Sequence, residues 1–491
     1  MERTAGKPAQ DGTGESSPKA SRIARWHPSL SRWVPIMAVA CFLAWSFVAI
    51  RPDFSWDDSE PEILNLAWRL ANGETIYRGI EEPPFAFAPY PPLYFAATAA
   101  MLKFTGLSYL PAKLLSFLAA LSIGWALACL SRQWYGTRKP GLWAACLLFL
   151  IPAFLYNSVR CQAPILAVAF SVWSLVFFLR NRRIDTLCIS PLLAVLAFYT
   201  KQTQIALPLA MIVYLALKNR RWLFPYAAVL AAGGLIPFLW LQHITHGYFY
   251  NNTVELAQLA YKAWLIIPIF LHHAGPLIIF LALALSICLR RFKAGTWEAV
   301  DWYLVCVSGL TFFALGRVGA HGQYVLELLV AALLFLLRTT GLPAIRGREA
   351  LVSIQILILL LYAPLFVAVE EGWWDMSANR AAGRIYSLIQ ESPGPVLAQQ
   401  NSFPLFSRGG IHIQLFHFTG LARAGLWDQN RLVREIDART FGCVVTEFPF
   451  EEPVRSDNAI ERFTPEMIQA LRRNYRRIET AFPYYFYVRA P

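Results

Sequence analysis

Apolar runs of about 15 to 22 residues, separated by short polar breaks, recur from Trp33 to Val369 in this 491-residue chain. A run near 20 residues, at about 1.5 Å of rise each, matches the roughly 30 Å hydrocarbon core of a bilayer. Only 15% of the residues are charged, against about a quarter in soluble proteins. A soluble core of this apolarity would need flanking amphipathic helices, and almost none stand between Gly106 and Val369. The pattern predicts a polytopic α-helical membrane protein with about 11 transmembrane helices. They are expected at 33–50, 110–131, 141–157, 163–180, 187–199, 203–217, 223–243, 270–290, 301–316, 321–338 and 350–369.

The net charge of +13 is spread over short loops, so it orients helices rather than building a basic face for nucleic acid. Five alternate loops carry three cations each: Arg132, Arg138, Lys139; Arg180, Arg182, Arg183; Lys218, Arg220, Arg221; Arg290, Arg291, Lys293; and Arg338, Arg346, Arg348. The four loops between them carry one each, Arg160, Lys201, Lys262 and Arg317. Fifteen cations against four places the rich loops inside. Residues 1–32 then form a disordered cytoplasmic tail, 33–369 the transmembrane domain, and 370–491 a segment on the far side. This orientation requires that Pro91–Phe104 not cross. It is short and opens Pro91-Pro92, which suits a re-entrant or interfacial helix within a first far-side loop at 51–109.

The eight cysteines offer neither a disulfide framework nor zinc spacing. Six lie in or beside apolar runs, and only Cys161 and Cys443 are expected on the far side.

The first far-side loop carries the richest chemistry. Asp57 and Asp58 lie where the chain leaves the bilayer, and a helix with Ile63, Leu66, Ala67 and Leu70 on one face follows, capped by Gly73. Adjacent carboxylates repel, which suits one of them to general-base work. The plainer role is an N-terminal cap from Asp58-Ser59; two aspartates can serve both. Arg160, Lys201 and Arg317 reach the same side from three helix ends. Each alone reads as a snorkelling charge, but together they face a carboxylate pair. Acid on one loop and cations on others fit a hydroxyl nucleophile attacking beside a phosphate leaving group. Glu327 and His272-His273 lie at membrane depth, where ionisable groups face a bundle interior or wet cavity. Gly275-Pro276 then predicts a broken helix, and the histidine pair lacks a third metal ligand in sequence.

These motifs resemble the bacterial GT-C glycosyltransferases, relatives of protein mannosyltransferases and lipid A aminoarabinose transferases that use polyprenyl-phosphate sugar donors. The likeness rests on the aspartate pair, on Asn72-Gly73-Glu74-Thr75-Ile76-Tyr77 and on Tyr90-Pro91-Pro92-Leu93-Tyr94. Pro152 to Arg160 resembles the family's second far-side loop, and Thr200-Lys201-Gln202-Thr203 its Lys-Gln-Thr element. Gly316 to Tyr324 is similar to a late Gly-rich loop, with Gln323-Tyr324 where Asn-Tyr is more usual. Two further departures are Asp57-Asp58 where Asp-Glu is common, and Gln162 where an Asp often follows the arginine.

The resemblance implies a GT-C-like fold and an inverting transfer of one sugar (a hexose or pentose) from a polyprenyl-phosphate-linked donor. The acceptor would be a hydroxyl on a lipid, glycan or protein at the extracytoplasmic face of a bacterial inner membrane. Asp58 or Asp57 would be the base. Glu60, Tyr90, Arg160, Lys201, Gln202, Arg317, His321 and Tyr324 would bind substrate. No cofactor is implied; three cations could stand in for a metal, and a divalent ion is left open. The rival reading is a lipid-linked sugar flippase or other transporter, which predicts repeated halves with helices broken at the midplane; the sequence has no internal repeat. A membrane sensor or scaffold would leave the carboxylate loop unexplained.

Beyond Val369 the pattern changes. Pro395–Ala398, Gly442–Thr446 and Tyr485–Val488 read as strands, and Ser377–Gln390, Asp428–Ala438 and Pro465–Asn474 as helices. This predicts a small extracytoplasmic α/β domain, suited to bind the acceptor or to cover the catalytic loop.

Overall fold

The computed structural model describes residues 18–50, 59–257, 260–341, 349–370, 376–453 and 457–491. The apolar runs fold as helices, since in hydrocarbon a helix satisfies its backbone within one segment. α1 (Pro18–Ile50) begins inside the stretch expected as disordered tail; helix propagation from an established span adds one hydrogen bond per residue fixed. The first loop supplies α2 (Ser59–Ala71) and α3 (Leu93–Thr105). There follow α4 (Leu110–Tyr135), α5 (Lys139–Phe149), α6 (Pro152–Asn157), α7 (Pro164–Leu179), α8 (Ser190–Thr200), α9 (Ala206–Lys218) and α10 (Arg220–Ile244). After the short α11 (Tyr248–Tyr250) come α12 (Ile266–Ala274), α13 (Ile278–Lys293), α14 (Ala299–Leu315), α15 (Leu326–Thr340) and α16 (Glu349–Glu370).

Among the described residues, three segments are long and apolar enough to cross a bilayer on their own: Leu110–Tyr135, Arg220–Ile244 and Ala263–Lys293. Shorter apolar helices of 10–17 residues accompany them. The segment expected at 141–157 splits into α5 and α6, because Pro152 lacks the amide that would continue α5. Gly275–Leu277 is a 3₁₀ turn between α12 and α13, so the break expected at Gly275-Pro276 is present. α3 has 13 residues, about 20 Å at helical rise, and packs against α2 and α4.

Small residues set the spacing of the bundle, as where backbones approach closely in lipid. α4 and α5 pack directly. A Cβ on Gly141 would lie 2.3 Å from the Leu127 carbonyl oxygen and 2.7 Å from the Ala128 Cα, both rigid backbone. Gly141→Ala is therefore expected to push the two helices apart and cost about 1–3 kcal/mol, the range for overpacking. Thermal unfolding of the detergent-solubilised protein should show the loss; an unchanged midpoint would mean that α4 and α5 do not meet this closely.

The C-terminal region is an α/β unit. It comprises α17 (Met376–Glu391), β1 (Val396–Ala398), α18 (Ser402–Arg408), α19 (Leu415–Arg423), α20 (Asn430–Asp437), β2 (Cys443–Thr446), α21 (Asp457–Arg462), α22 (Pro465–Asn474), β3 (Tyr475–Ala481) and β4 (Tyr484–Arg489). The sheet order is β1-β2-β4-β3, with β1 parallel to β2 and the other pairs antiparallel. β3 was not expected: it is an edge strand whose Arg476, Arg477 and Ile478 are exposed, so it shows no buried alternation. Cys161 and Cys443 are both free, buried thiols.

Candidate functional site

α2 was expected to bury one apolar face and expose the other. Instead every residue from Glu60 to Ala67 is buried, because α3 lies on one side and the C-terminal domain on another. Polar residues in such a position need partners, and Asn65, Arg69 and Glu62 each find at least one. Asn65 Oδ1 accepts from the Ile411 amide at 3.2 Å. Arg69 Nε meets Glu74 Oε2 at 2.8 Å. Glu62 Oε1 accepts from Asn401 Nδ2 at 3.1 Å, and its Oε2 stands 3.3 Å from His417 Nδ1.

The first turn of α2 is clamped by the loop after α6. Arg160 Nε lies 3.2 Å from Glu60 Oε1, both side chains almost fully buried. The Cys161 amide donates to the same oxygen at 2.6 Å, and Gln162 Nε2 donates to Ser59 Oγ at 2.7 Å. Gln162, standing where the resemblance would place an acid, thus tethers the residue that follows Asp58. Asp57 and Asp58 themselves lie outside the described residues.

Beside this clamp is a cavity of about 440 Å³, within the ~300–1,000 Å³ usual for ligand sites. Six of the expected substrate-binding residues line it: Tyr90, Lys201, Gln202, Arg317, His321 and Tyr324. Glu60 and Arg160 are not among its lining residues. Their buried pair lies behind the wall, where the Arg160 guanidinium sits 4.6 Å from the centroid of Tyr156, itself a lining residue.

Each lining group is placed by a local reason. Lys201 ends α8 in an extended conformation and is 1% exposed. Its ammonium donates to Gln323 Oε1 at 3.1 Å and lies 4.4 Å from the Tyr324 ring centroid and 5.7 Å from that of Tyr90. Burial pushes this ammonium down to about 7, against the opposing charge of Glu327. Glu327, read in the sequence as an ionisable group at membrane depth, accepts from the Tyr303 hydroxyl at 3.0 Å. Gln202 donates to the carbonyls of Pro89 and Thr253, at 2.8 and 2.9 Å. It thereby braces the first loop against the segment after α10. Tyr77 holds the Tyr90 carbonyl from the other side, at 2.8 Å.

The Gly-rich loop delivers Arg317. Lys262 N donates to the Gly316 carbonyl at 2.7 Å and Val318 N to that of Ala260 at 2.8 Å, a short bridge that fixes the loop. A Cβ on Gly316 would fall 2.4 Å from the Tyr261 ring, which explains the glycine. The half-buried Arg317 side chain projects beside Phe313, 5.9 Å from its centroid. His321 brings a third imidazole to the histidine pair, its ring centroid 4.6 Å from that of His273. Among the described residues no group of three His, Cys, Asp or Glu side chains is arranged to hold a metal.

Sequence reading missed part of the lining. Asn157 and Gln323 stand inside quoted motifs and Glu62 follows the aspartate pair closely, so all three could have been read from them. Gln414, Phe416, His417 and Arg462 come from the C-terminal domain, where no local pattern marks them.

Comparison with known proteins adds three findings. Residues 89–243 match the family model of dolichyl-phosphate-mannose-protein mannosyltransferases, a stretch that holds Tyr90, Arg160, Lys201 and Gln202. No curated protein sequence matches the chain. Among solved structures, ArnT from Cupriavidus metallidurans aligns in its apo state with a TM-score of 0.62 at 13% identity, over 94% of this chain and 98% of that one. The same protein bound to undecaprenyl phosphate gives 0.62 and 13%, over 93% and 98%. The oligosaccharyltransferase AglB from Archaeoglobus fulgidus, with an inhibitory peptide and a dolichol-phosphate, gives 0.50 and 12%, over 86% and 69%. The chain has the GT-C fold that its motifs led us to expect.

Proposed function

We propose that this GT-C chain is an inverting membrane glycosyltransferase. It moves a single sugar from a polyprenyl-phosphate carrier to a hydroxyl acceptor at the extracytoplasmic face, with N-terminus inside, about 11 crossings and the C-terminal domain outside. The observation that carries the reading is the cavity. It gathers Lys201 and Arg317 from separate helix ends against the wall that begins at Ser59, directly after Asp57-Asp58. The lipid ligands in the ArnT and AglB structures support a lipid phosphate as the anion.

The mechanism follows from the charges. Asp58, or Asp57, takes the acceptor proton as its oxygen attacks the anomeric carbon. The bond from that carbon to the carrier phosphate breaks, and Lys201 and Arg317 stabilise the phosphate that leaves. Attack opposite the leaving group inverts the anomeric configuration. Arg160, held by Glu60, positions the loop that tethers Ser59. Gln202 and Tyr324 fix the first loop and Lys201.

Donor binding gives the test. A bound phosphate favours charged Lys201, whereas the free ammonium loses its proton near 7. Affinity for undecaprenyl phosphate is therefore expected to fall as pH rises above about 7, by up to about tenfold per unit. Lys201→Arg keeps its charge and should remove this slope; the difference between the two proteins isolates the lysine proton from the phosphate's own. Titration of the full-length protein in nanodiscs reads it out. Identical pH profiles for wild type and Lys201→Arg would mean that Lys201 does not meet the phosphate.

A further inference from the structure

Lys201 is a buried cation whose direct contacts are all neutral. Its ammonium meets Gln323 Oε1 at 3.1 Å and the ring faces of Tyr324 and Tyr90. A neutral oxygen and two ring faces leave a charge in such a site short of compensation. The countercharge comes from α15. Glu327 stands four positions after Gln323, the residue that holds the ammonium. Its side chain is buried, and Oε1 accepts from the Tyr303 hydroxyl of α14 at 3.0 Å. From there the carboxylate acts on Lys201 through space, against the burial that pushes the ammonium down to about 7. The other titratable or charged groups set around the two are Tyr90, Tyr303, Tyr324 and Arg317, whose charge reaches Tyr324. Among the described residues, no charged group of α4, α5, α7 or α13, which also pack against α15, acts on Glu327. Glu327 is not a lining residue of the cavity, so its charge is felt there through Lys201.

We propose that Glu327 is a positioning residue for the phosphate pole: it keeps Lys201 charged while the cavity is empty and hands that charge over to the donor phosphate. The inference rests on the reading of Lys201 as a phosphate contact. A carboxylate in direct contact with the ammonium would form a buried ion pair that the phosphate has to break, and breaking such a pair strands a charge. A carboxylate one turn beyond Gln323 sustains the ammonium without pairing with it. No ion pair is lost when the phosphate arrives. The carboxylate also repels the phosphate, since like charges at this depth are weakly screened. It therefore moderates donor affinity and favours release of the carrier phosphate once the sugar has left. A purely structural Glu327 would do no more than bind Tyr303 and join α14 to α15, a task for which its charge is not needed.

The full-length protein in nanodiscs gives two readouts. Without donor, the pH dependence of competitive acetylation of Lys201 by acetic anhydride, followed by peptide mass spectrometry, reports the lysine proton directly. With undecaprenyl phosphate, affinity measured across the same pH range reports the hand-over. Glu327→Gln keeps the side-chain volume and an acceptor for Tyr303 and loses only the charge. It should lower the acetylation midpoint of Lys201 by about one pH unit, the low end of what a nearby opposite charge does. Glu327→Asp keeps the charge and should stay closer to the wild type. Well below pH 7 the lysine is charged in both proteins, so Glu327→Gln should bind undecaprenyl phosphate up to about tenfold more tightly, the equivalent of that one unit. The gain should shrink as pH rises, because the variant loses its lysine proton first. In the Lys201→Arg background, where the charge is permanent, Glu327→Gln should tighten donor binding equally at every pH. An acetylation midpoint that Glu327→Gln leaves in place would overturn the proposal and confine Glu327 to packing with Tyr303. A shifted midpoint with donor affinity equal to wild type at every pH would overturn the hand-over. Identical donor profiles for wild type and Lys201→Arg would instead strike the phosphate reading of Lys201, and the acetylation readout keeps the two failures apart.

Discussion

Asp58→Asn is expected to slow sugar transfer by on the order of 10²–10⁴, the usual range for loss of a general base. Undecaprenyl phosphate affinity should barely change, because a base that takes the acceptor proton meets the acceptor and not the donor phosphate. Ser59 stands directly after Asp58 in the chain. Gln162 holds its hydroxyl at 2.7 Å, Glu60 is clamped by the Cys161 amide at 2.6 Å, and Ser59 lines the cavity. A cap would behave otherwise: Asn caps a helix about as well as Asp, so a purely capping Asp58 predicts almost no effect. Near-normal transfer by Asp58→Asn with an inactive Asp57→Asn would move the base by one position. Near-normal transfer by both would remove the mechanism.

Neutralising the phosphate pole should have the second large effect. Lys201→Met keeps most of the side-chain volume in a site that is 1% exposed but loses the charge between Tyr324 and Gln323. Transfer is expected to slow by about 10²–10³, as when one group aimed at developing negative charge is removed, with weaker undecaprenyl phosphate binding. Arg317→Ala should act in the same direction. If both act on one anion, the double variant should fall short of the product of the two. Measured turnover and donor affinity unchanged in both single variants would leave these cations a topological role only. Gln202 makes a useful contrast. Its amide is spent on the Pro89 and Thr253 carbonyls, so its loss would loosen the first loop rather than remove charge.

The membrane-embedded helical class was legible because the run length of apolar residues is a local property set by bilayer thickness. The motifs around Tyr90, Lys201 and Arg317 were legible for a related reason: each marks the end of such a run. In the C-terminal domain, helices at 376–391, 430–437 and 465–474 lie within a residue or two of their expected bounds, since each carries its own apolar periodicity. Edge strand β3 did not, because a strand with one unpaired side and an exposed face has no alternation to read.

What only the tertiary structure decided are pairings between distant residues. Arg160 and Lys201 look alike in sequence, each the single cation of a short loop between apolar runs. The fold puts a carboxylate, Glu60, against the first and an aromatic cradle around the second. One becomes a brace behind the wall and the other a charge within the cavity. Likewise Gln162 meets Ser59 across 103 positions and Asn401 meets Glu62 across 339. A helix reads its neighbours three and four residues away, and a bilayer reads the length of an apolar run. Neither carries information about which polar group will stand opposite, because that follows from how the packed elements leave each buried charge or amide to find its partner. The sequence by itself determined a helical membrane protein with a C-terminal α/β unit. The docking of the C-terminal domain on α2 supplied Phe416, His417 and Arg462 to the cavity.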